Sequence, residues 1–247
     1  MNIHKKIFNL DGKVALIAGS SRGIGLAFAD SLINQNVKVI GLSRKKNINT
    51  NSQIHHICDV TKQSNLQSIR TILEKINIKL DIIIFAASIT NLGNNLNDEK
   101  KFISTINTNL VSNYNVINTF KPIINKNASI INISSINAIQ GFPQNPGYIS
   151  SKGGVEALTR SLAVDLAENK IRVNCIRPGY IKTDMTLNSY NNPKKYKLRK
   201  NKTILKRWGS PNDLIGPMLL LASDASSYMT GSILTVDGGW SILGLEE

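Results

Sequence analysis

"KVALIAGSSRGIG", Lys13 to Gly25, is the stretch that decides the fold. Its first half, Lys13–Ala18, is a nearly continuous apolar run, the pattern of a short strand covered on both faces. Its second half, "AGSSRGIG", spaces Gly19, Gly23 and Gly25 as G-x-x-x-G-x-G and leads into a helical pattern over 23–34. Glycine lets a turn bend tightly and lets its backbone approach another group closely. The N-terminus of the helix that follows offers unpaired N–H groups to an anion. Strand, glycine turn and helix, in that order, therefore read as a cradle for a pyrophosphate. The spacing is not G-x-G-x-x-G, so a generic dinucleotide fingerprint does not fit as it stands.

The same alternation runs on from there. "KVIGL" (38–42), "IHHIC" (54–58), "LDIIIFAA" (80–87), "SIINIS" (129–134), "IRVNCI" (171–176) and "ILTV" (233–236) read as further strands. Helical patterns separate them at 63–75, in one long stretch at 98–124, at 148–168 and at 212–222. Apolar strands alternating with helices predict a doubly wound parallel sheet of about seven strands, a Rossmann-type α/β fold with helices on both faces. No repeat and no Pro/Gly/Ser linker divides the chain, so residues 1–247 read as a single domain.

Composition narrows the function classes. No apolar run reaches the length of a membrane span, and the N-terminal stretch lacks a signal-peptide core, so the expectation is a cytoplasmic protein. The two cysteines, Cys58 and Cys175, sit apart in apolar surroundings and read as reduced core residues. His4, His55 and His56 are the only histidines, with no ligand partners at metal spacing, so no metal site is expected. The net charge of +14 allows acidic partners. The basic residues are mostly scattered and no nucleic-acid motif is present, so neither nucleic acid nor membrane is expected as a partner.

Two further stretches carry chemistry. At the end of the second strand, "GLSRKK" has Ser43 and Arg44 where an acid would hold a ribose 2′-hydroxyl. With Arg22 in the glycine turn, two guanidiniums are available to clamp a 2′-phosphate, which favours NADP(H) over NAD(H). In "GYISSK", Tyr148 and Lys152 stand four residues apart at the mouth of a helix. A neighbouring ammonium favours the phenolate, so Lys152 is expected to lower the Tyr148 pKa.

With these pieces in place the chain resembles the short-chain dehydrogenase/reductase family over essentially its whole length. "AGSSRGIG" is similar to the family's T-G-x-x-x-G-x-G, with Ala18 for the usual Thr. "CDV" supplies Asp59 and Val60, "NTNL" Asn109, "NISS" Ser135, "GYISSK" the Y-x-x-x-K, and "RPGYIKT" the P-G-x-x-x-T segment. One departure stands out: the family's N-N-A-G after the fourth strand is "FAAS", Phe85 to Ser88. The tail from "LKRWGSP" to "VDGGW" looks most like the gluconate and deoxygluconate dehydrogenases, with the 3-oxoacyl-carrier-protein reductases close behind.

The resemblance implies a hydride transfer between a nicotinamide and a ketone or secondary alcohol. It assigns catalysis to Asn109, Ser135, Tyr148 and Lys152. Tyr148 gives or takes the proton, Lys152 assists it and bonds the cofactor ribose, Ser135 orients the substrate oxygen, and Asn109 holds a relay water. It implies cofactor contacts from Gly19, Ser21, Arg22, Gly23, Ile24, Gly25, Arg44, Asp59, Val60, Ala86, Ala87, Tyr148, Lys152, Pro178, Gly179, Ile181 and Thr183. The helices near 98–124 and 148–168 resemble the family's dimer helices, so a homotetramer or dimer is expected.

The segment "NPKKYKLRKNKTILKR", 192–207, holds eight basic residues and no acid, where the family places a lid over the substrate, here near 184–207. A solvated helix face is the plain reading. The functional one is attraction of an anionic substrate, with Arg199 and Arg207 in direct contact beside Ser135 and Tyr148. A sugar acid, as for a gluconate 5-dehydrogenase, is the first expectation. An acyl thioester of a 3-oxoacyl-carrier-protein reductase is the alternative. A non-catalytic dinucleotide-binding protein is the alternative of another class.

Overall fold

The computed structural model describes residues 6–45, 54–91 and 98–244. Seven parallel strands, β1 (Val14–Ala18), β2 (Lys38–Ser43), β3 (Ile54–Ile57), β4 (Leu80–Phe85), β5 (Ile124–Ile133), β6 (Arg172–Pro178) and β7 (Ile233–Val236), form one sheet. Their order is β3-β2-β1-β4-β5-β6-β7, and every neighbouring pair is parallel. The chain builds outward from β1 to β3, then crosses back to place β4 on the other side of β1. That reversal opens a crevice at the carboxyl ends of β1 and β4, where such sheets bind ligands.

Side-chain alternation explains why helices cover both faces. Leu16, Ala18, Ile40, Leu42, Ile83, Phe85 and Ile130 point to one side. There they meet Leu66 and Leu73 of α2 (Gln63–Lys75), Val116 and Phe120 of α4 (Ser112–Phe120), and Leu162 of α5 (Pro146–Asp165). Ala15, Ile17, Val39, Ile82, Ile84 and Ile131 point to the other side, against Phe28 and Leu32 of α1 (Gly23–Ile33) and Met218 and Leu221 of α8 (Ile215–Ala222). Each such aliphatic side chain contributes about 1.5–3 kcal/mol by leaving water.

The expected long helix over 98–124 is broken into pieces. Asp98 caps α3 (Glu99–Ile106) by accepting from the Lys101 N–H, a π-helical turn spans Asn107–Val111, and α4 follows. Pro122 then tightens the chain into a 3₁₀ turn, Lys121–Ile123. Strand β5 starts at Ile124, five residues before the expected start, because its first half is polar and partly exposed and pairs with β4 only at Leu80 before the register shifts. Helix α5 begins two residues early, with Pro146 at its first position, where a missing N–H costs nothing. The basic segment forms two helices, α6 (Leu187–Tyr190) and α7 (Pro193–Lys202), the second capped by Asn192 accepting from the Lys195 N–H.

Candidate active site

The glycine turn is as tight as its sequence suggests. Gly19 has φ +88, and a Cβ there would stand 2.6 Å from the Ala87 nitrogen. A Cβ on Gly25 would collide with the Gly19 carbonyl oxygen, and Gly23, at φ +56, faces Thr183. The turn is pinned by Gly19 N–H donating to Leu42 C=O at 2.7 Å and by Ala86 N–H donating to Ala18 C=O at 2.9 Å. Above it lies a cleft of about 1300 Å³ at the carboxyl ends of the strands. That exceeds the ~300–1,000 Å³ of an ordinary small-molecule pocket.

The cleft has three stations. At one end stand Ser43, Arg44, Asp59 and Val60. The Ser43 hydroxyl is already engaged, donating to Lys45 C=O at 2.6 Å and meeting His55 Nε2 at 2.8 Å. Burial pushes the Asp59 carboxyl up, but bonds from Thr61 and the charges of Arg44 and Lys62 outweigh it and hold it low. In the middle, Gly19, Ser21, Arg22, Gly23, Ile24, Ala86 and Ala87 line the floor; Gly25 lies just behind them. Arg22 also pairs with Asp184 at 3.9 Å, both side chains largely exposed. At the far end, Ser135, Tyr148 and Lys152 face Pro178, Gly179, Ile181 and Thr183.

These residues suit a nicotinamide dinucleotide. The glycines let the turn pack closely against the end of β4 and against itself, where a Cβ on Gly19 or Gly25 would collide with backbone. The Ser88 hydroxyl, in the cleft wall, is buried with no partner among the described residues, a donor available to a ligand. Phe85, which replaces the family's Asn, is buried in the core. Across the β4–β5 pairing its neighbour Asn132 donates to Thr159 Oγ1 but leaves its Oδ1 unpaired.

Three elements bring the reacting groups together. Ser135 follows the end of β5 and accepts from Asn137 N–H; Tyr148 lies in the first turn of α5; Lys152 lies one turn on. The Lys152 ammonium donates to Ile133 C=O at 2.8 Å and sits 5.5 Å from the Tyr148 ring centre. The expectation that Lys152 lowers the Tyr148 pKa needs correcting. Burial raises the phenol above its ordinary value, a hydrogen bond with Ser135 pulls it down, and Tyr180 nearby raises it again. Burial lowers the Lys152 ammonium to about 8, which leaves it mostly charged at neutral pH.

Asn109 does not line the cleft. It is fully buried in the π turn, where its amide donates to Ile89 C=O and Ser151 Oγ and accepts from Ile89 N–H, all within 2.9–3.0 Å. Nor does the structure bring Arg199 and Arg207 to the cleft wall. Arg207 is paired with Asp213 at 2.6 Å and donates to Trp208 C=O at 3.1 Å. The Arg199 guanidinium carbon lies 4.6 Å over the Tyr180 ring and 5.9 Å from that of Trp208, and its Nη1 donates to Ser189 Oγ. Around it, Tyr180, Tyr190, Tyr196, Trp208 and Trp240 form an aromatic cluster.

Sequence reasoning passed over a buried Glu156–Arg177 pair under Ser134 and over the Tyr180 cluster. A signal for the first was present. Glu156 falls in the buried stripe of α5 between Val155 and Thr159, where a charge is out of place. Among the described residues no cluster of three or more His, Cys, Asp or Glu is arranged to hold a metal, and no helix is long and apolar enough to cross a membrane.

Comparisons with known proteins agree with this geometry. A family model described as enoyl-(acyl carrier protein) reductase matches residues 18–241. The 3-oxoacyl-(acyl-carrier-protein) reductase of Chlamydia trachomatis is 36% identical over 245 residues, covering 93% of this chain and 98% of the relative. The 2-dehydro-3-deoxy-D-gluconate 5-dehydrogenase of Pseudoalteromonas atlantica is 31% identical over 252 residues, covering 94% and 97%. A gluconate 5-dehydrogenase from Burkholderia cenocepacia, solved with NADP and tartrate, superposes with a TM-score of 0.91 at 26% identity, covering 98% of this chain and 100% of that one. The chain belongs to the short-chain dehydrogenase/reductase family and is an oxidoreductase acting on CH–OH groups.

Proposed function

We propose that this enzyme uses NADP(H) to interconvert a ketone and a secondary alcohol on an anionic sugar acid. The observation that carries the reaction is the convergence of Ser135, Tyr148 and Lys152 at the end of a dinucleotide-sized cleft. The nicotinamide, when bound, supplies or accepts the hydride. Ser135 holds the substrate oxygen, and Tyr148 gives that oxygen a proton in reduction or takes it in oxidation. A raised phenol suits the donor role, and Lys152, near pKa 8, is poised to pass protons at neutral pH. Lys152 also faces the cleft where a ribose would lie. The Asn109 amide is fully engaged, so a relay water held by this residue would bond its backbone carbonyl in the π turn.

Arg44 and Arg22, with no acid at the end of β2, support NADP(H), and NAD(H) is the weaker cofactor in this reading. Asp59 and Val60 at one end of the cleft support contacts to the adenine, and Pro178, Gly179, Ile181 and Thr183 at the other support contacts to the carboxamide end. For the substrate, Arg207 is committed to Asp213, which narrows direct anion contact to Arg199. Its Nε is buried without a partner among the described residues, and its guanidinium lies over Tyr180, which in turn acts on Tyr148. We take residues 184–207 as the lid over that site. The exposed apolar residues Phe102 in α3 and Tyr114 in α4 support self-association to a dimer or tetramer.

The second reading, reduction of a 3-oxoacyl thioester, is favoured by the 36% identity to the Chlamydia reductase. A panel of sugar acids, matched neutral polyols and acyl thioesters, followed at the nicotinamide absorbance, tests both. Sugar acids outperforming their neutral counterparts, with KM rising as salt is added, supports the first. Acyl thioesters outperforming both replaces it with the second.

A further inference from the structure

A charged pair, Glu156 and Arg177, lies beside the turn of α5 that carries Lys152. Glu156 follows Lys152 by one turn of α5, with its side chain 8% exposed. Arg177 donates to both carboxylate oxygens, Nε at 2.7 Å and Nη2 at 2.6 Å, and Ser134 Oγ donates to Oε1 at 2.8 Å. Ser134 also donates to the Lys152 carbonyl at 3.3 Å. Arg177 reaches onward to Thr235 Oγ1 of β7 at 3.2 Å. One carboxylate thus joins the end of β5, which leads into Ser135, to the helix turn that carries Lys152. It also joins both to the end of β6, which leads into Pro178 and Gly179.

Stability alone explains the pair poorly. Taking two ions out of water costs about as much as their attraction returns, and well-packed apolar residues would serve as well or better. We propose that Glu156 is a positioning residue of the reaction: it fixes Ser134–Ser135 against the Lys152 turn and cancels the Arg177 charge beside that turn. Of the other titratable groups, Cys175 in β6 faces Lys152, Tyr180 after β6 faces Tyr148, and Asp237 after β7 faces Arg177. Cys175 is pushed up to about 12, chiefly by burial, and stays a neutral thiol. Glu156 is therefore the anion on the helix side that balances Arg177, and its removal leaves an unbalanced cation beside the turn that carries Lys152.

The inference rests on the roles proposed for Tyr148 and Lys152, yet its test needs no substrate. The phenolate absorbance of the full chain is titrated with and without Tyr148→Phe, and the difference isolates Tyr148. The same pair of titrations is repeated in Glu156→Gln, Glu156→Asp, Arg177→Met and the Glu156→Gln/Arg177→Met double variant. In Glu156→Gln the Tyr148 titration moves to lower pH by about one unit, because the Arg177 charge is no longer balanced. It returns to the wild-type position in the double variant and stays there in Glu156→Asp. Arg177→Met moves it the opposite way and serves alone if Glu156→Gln does not fold. A folded Glu156→Gln with an unmoved titration, or a double variant that stays shifted, overturns the proposal. A wild type that turns over none of the substrate panel would retire the proposed substrates while leaving this titration readable.

Discussion

Replacing Gly19 by alanine separates two costs that one glycine turn carries. Gly12 and Gly19 both have positive φ, +74 and +88. A Cβ on Gly12 meets nothing within 4 Å, whereas on Gly19 it meets Ala87 N at 2.6 Å, Ala87 Cα at 2.7 Å and the Ala86 carbonyl carbon at 2.9 Å. All three neighbours are backbone at the end of β4, so no side chain can swing aside. Gly12→Ala costs only the left-handed backbone, about 1–2 kcal/mol. Gly19→Ala adds overpacking of about 1–3 kcal/mol. At 2–4 °C per kcal/mol for a domain of this size, Gly19→Ala should melt roughly 2–12 °C below Gly12→Ala. The relief available to it is to push the turn away from β4, into the cleft floor where the pyrophosphate would lie. NADPH affinity, followed by fluorescence, should then fall by about 5- to 150-fold in Gly19→Ala, the equivalent of the same 1–3 kcal/mol, and hold in Gly12→Ala. If Gly19→Ala binds NADPH within about twofold of wild type, the turn is not the cofactor cradle and the close approach to Ala87 has only a packing role.

Tyr148→Phe should lower kcat by about 10²- to 10⁴-fold with NADPH affinity retained; more than a tenth of wild-type kcat would remove Tyr148 as the proton donor. Arg44→Asp should weaken NADPH selectively over NADH, read as the ratio of kcat/KM values; equal ratios in wild type and variant would refute the 2′-phosphate contact. Asp213→Asn removes the charge paired with Arg207 and leaves one oxygen where two now serve Arg207 and Ser210, and should lower Tm at neutral pH by about 2–4 °C. Its carboxyl is held below the ordinary range, first by the Arg207 bond. This contribution is therefore present above the unfolded pKa of about 4 and fades as pH falls below it, so wild type and variant should converge in acid.

The scaffold was legible because it rests on local patterns. Continuous apolar strands, helical periods and the glycine spacing each act over a dozen residues, and five of the helical positions and all seven strand positions follow from them. The misplacements fall where tertiary structure overrides local pattern. The π turn at Asn109 is invisible as a period, since it inserts one residue into an otherwise helical run. The start of β5 is masked because "INKN" is polar and pairs with β4 at a single position before a register shift. Most cleft residues named by motif stand together because they follow the carboxyl ends of strands, which the strand order brings side by side; Tyr148 and Lys152 reach the same cleft from the first turns of α5. The substrate side was harder to read, because charges on a helix carry no sign of their partners. Arg199 lies over an aromatic ring and Arg207 lies on Asp213, a distinction made by the fold of residues 203–213 and not by the spacing of cations.

Lys152 shows what the reaction asks of that scaffold, and a variant can measure it. Lys152 is 3% exposed, and its ammonium donates to Ile133 C=O, its one acceptor among the described residues. Burial lowers its pKa from 10.5 to about 8. A base depressed in the folded state binds fewer protons there than in the unfolded chain, so folding gains stability as pH rises between about 8 and 10.5 and bears the full penalty below 8. The shift of about 2.5 units corresponds to roughly 3 kcal/mol, less whatever the bond to Ile133 returns. Lys152→Met keeps the stem and removes the charge. It should therefore melt several degrees above wild type at pH 7, the gap should close as pH is raised toward 10, and turnover should be lost throughout. A Lys152→Met protein that melts below wild type at pH 7 would mean that the ammonium is a structural anchor for β5, and its place under Tyr148 would need no catalytic explanation.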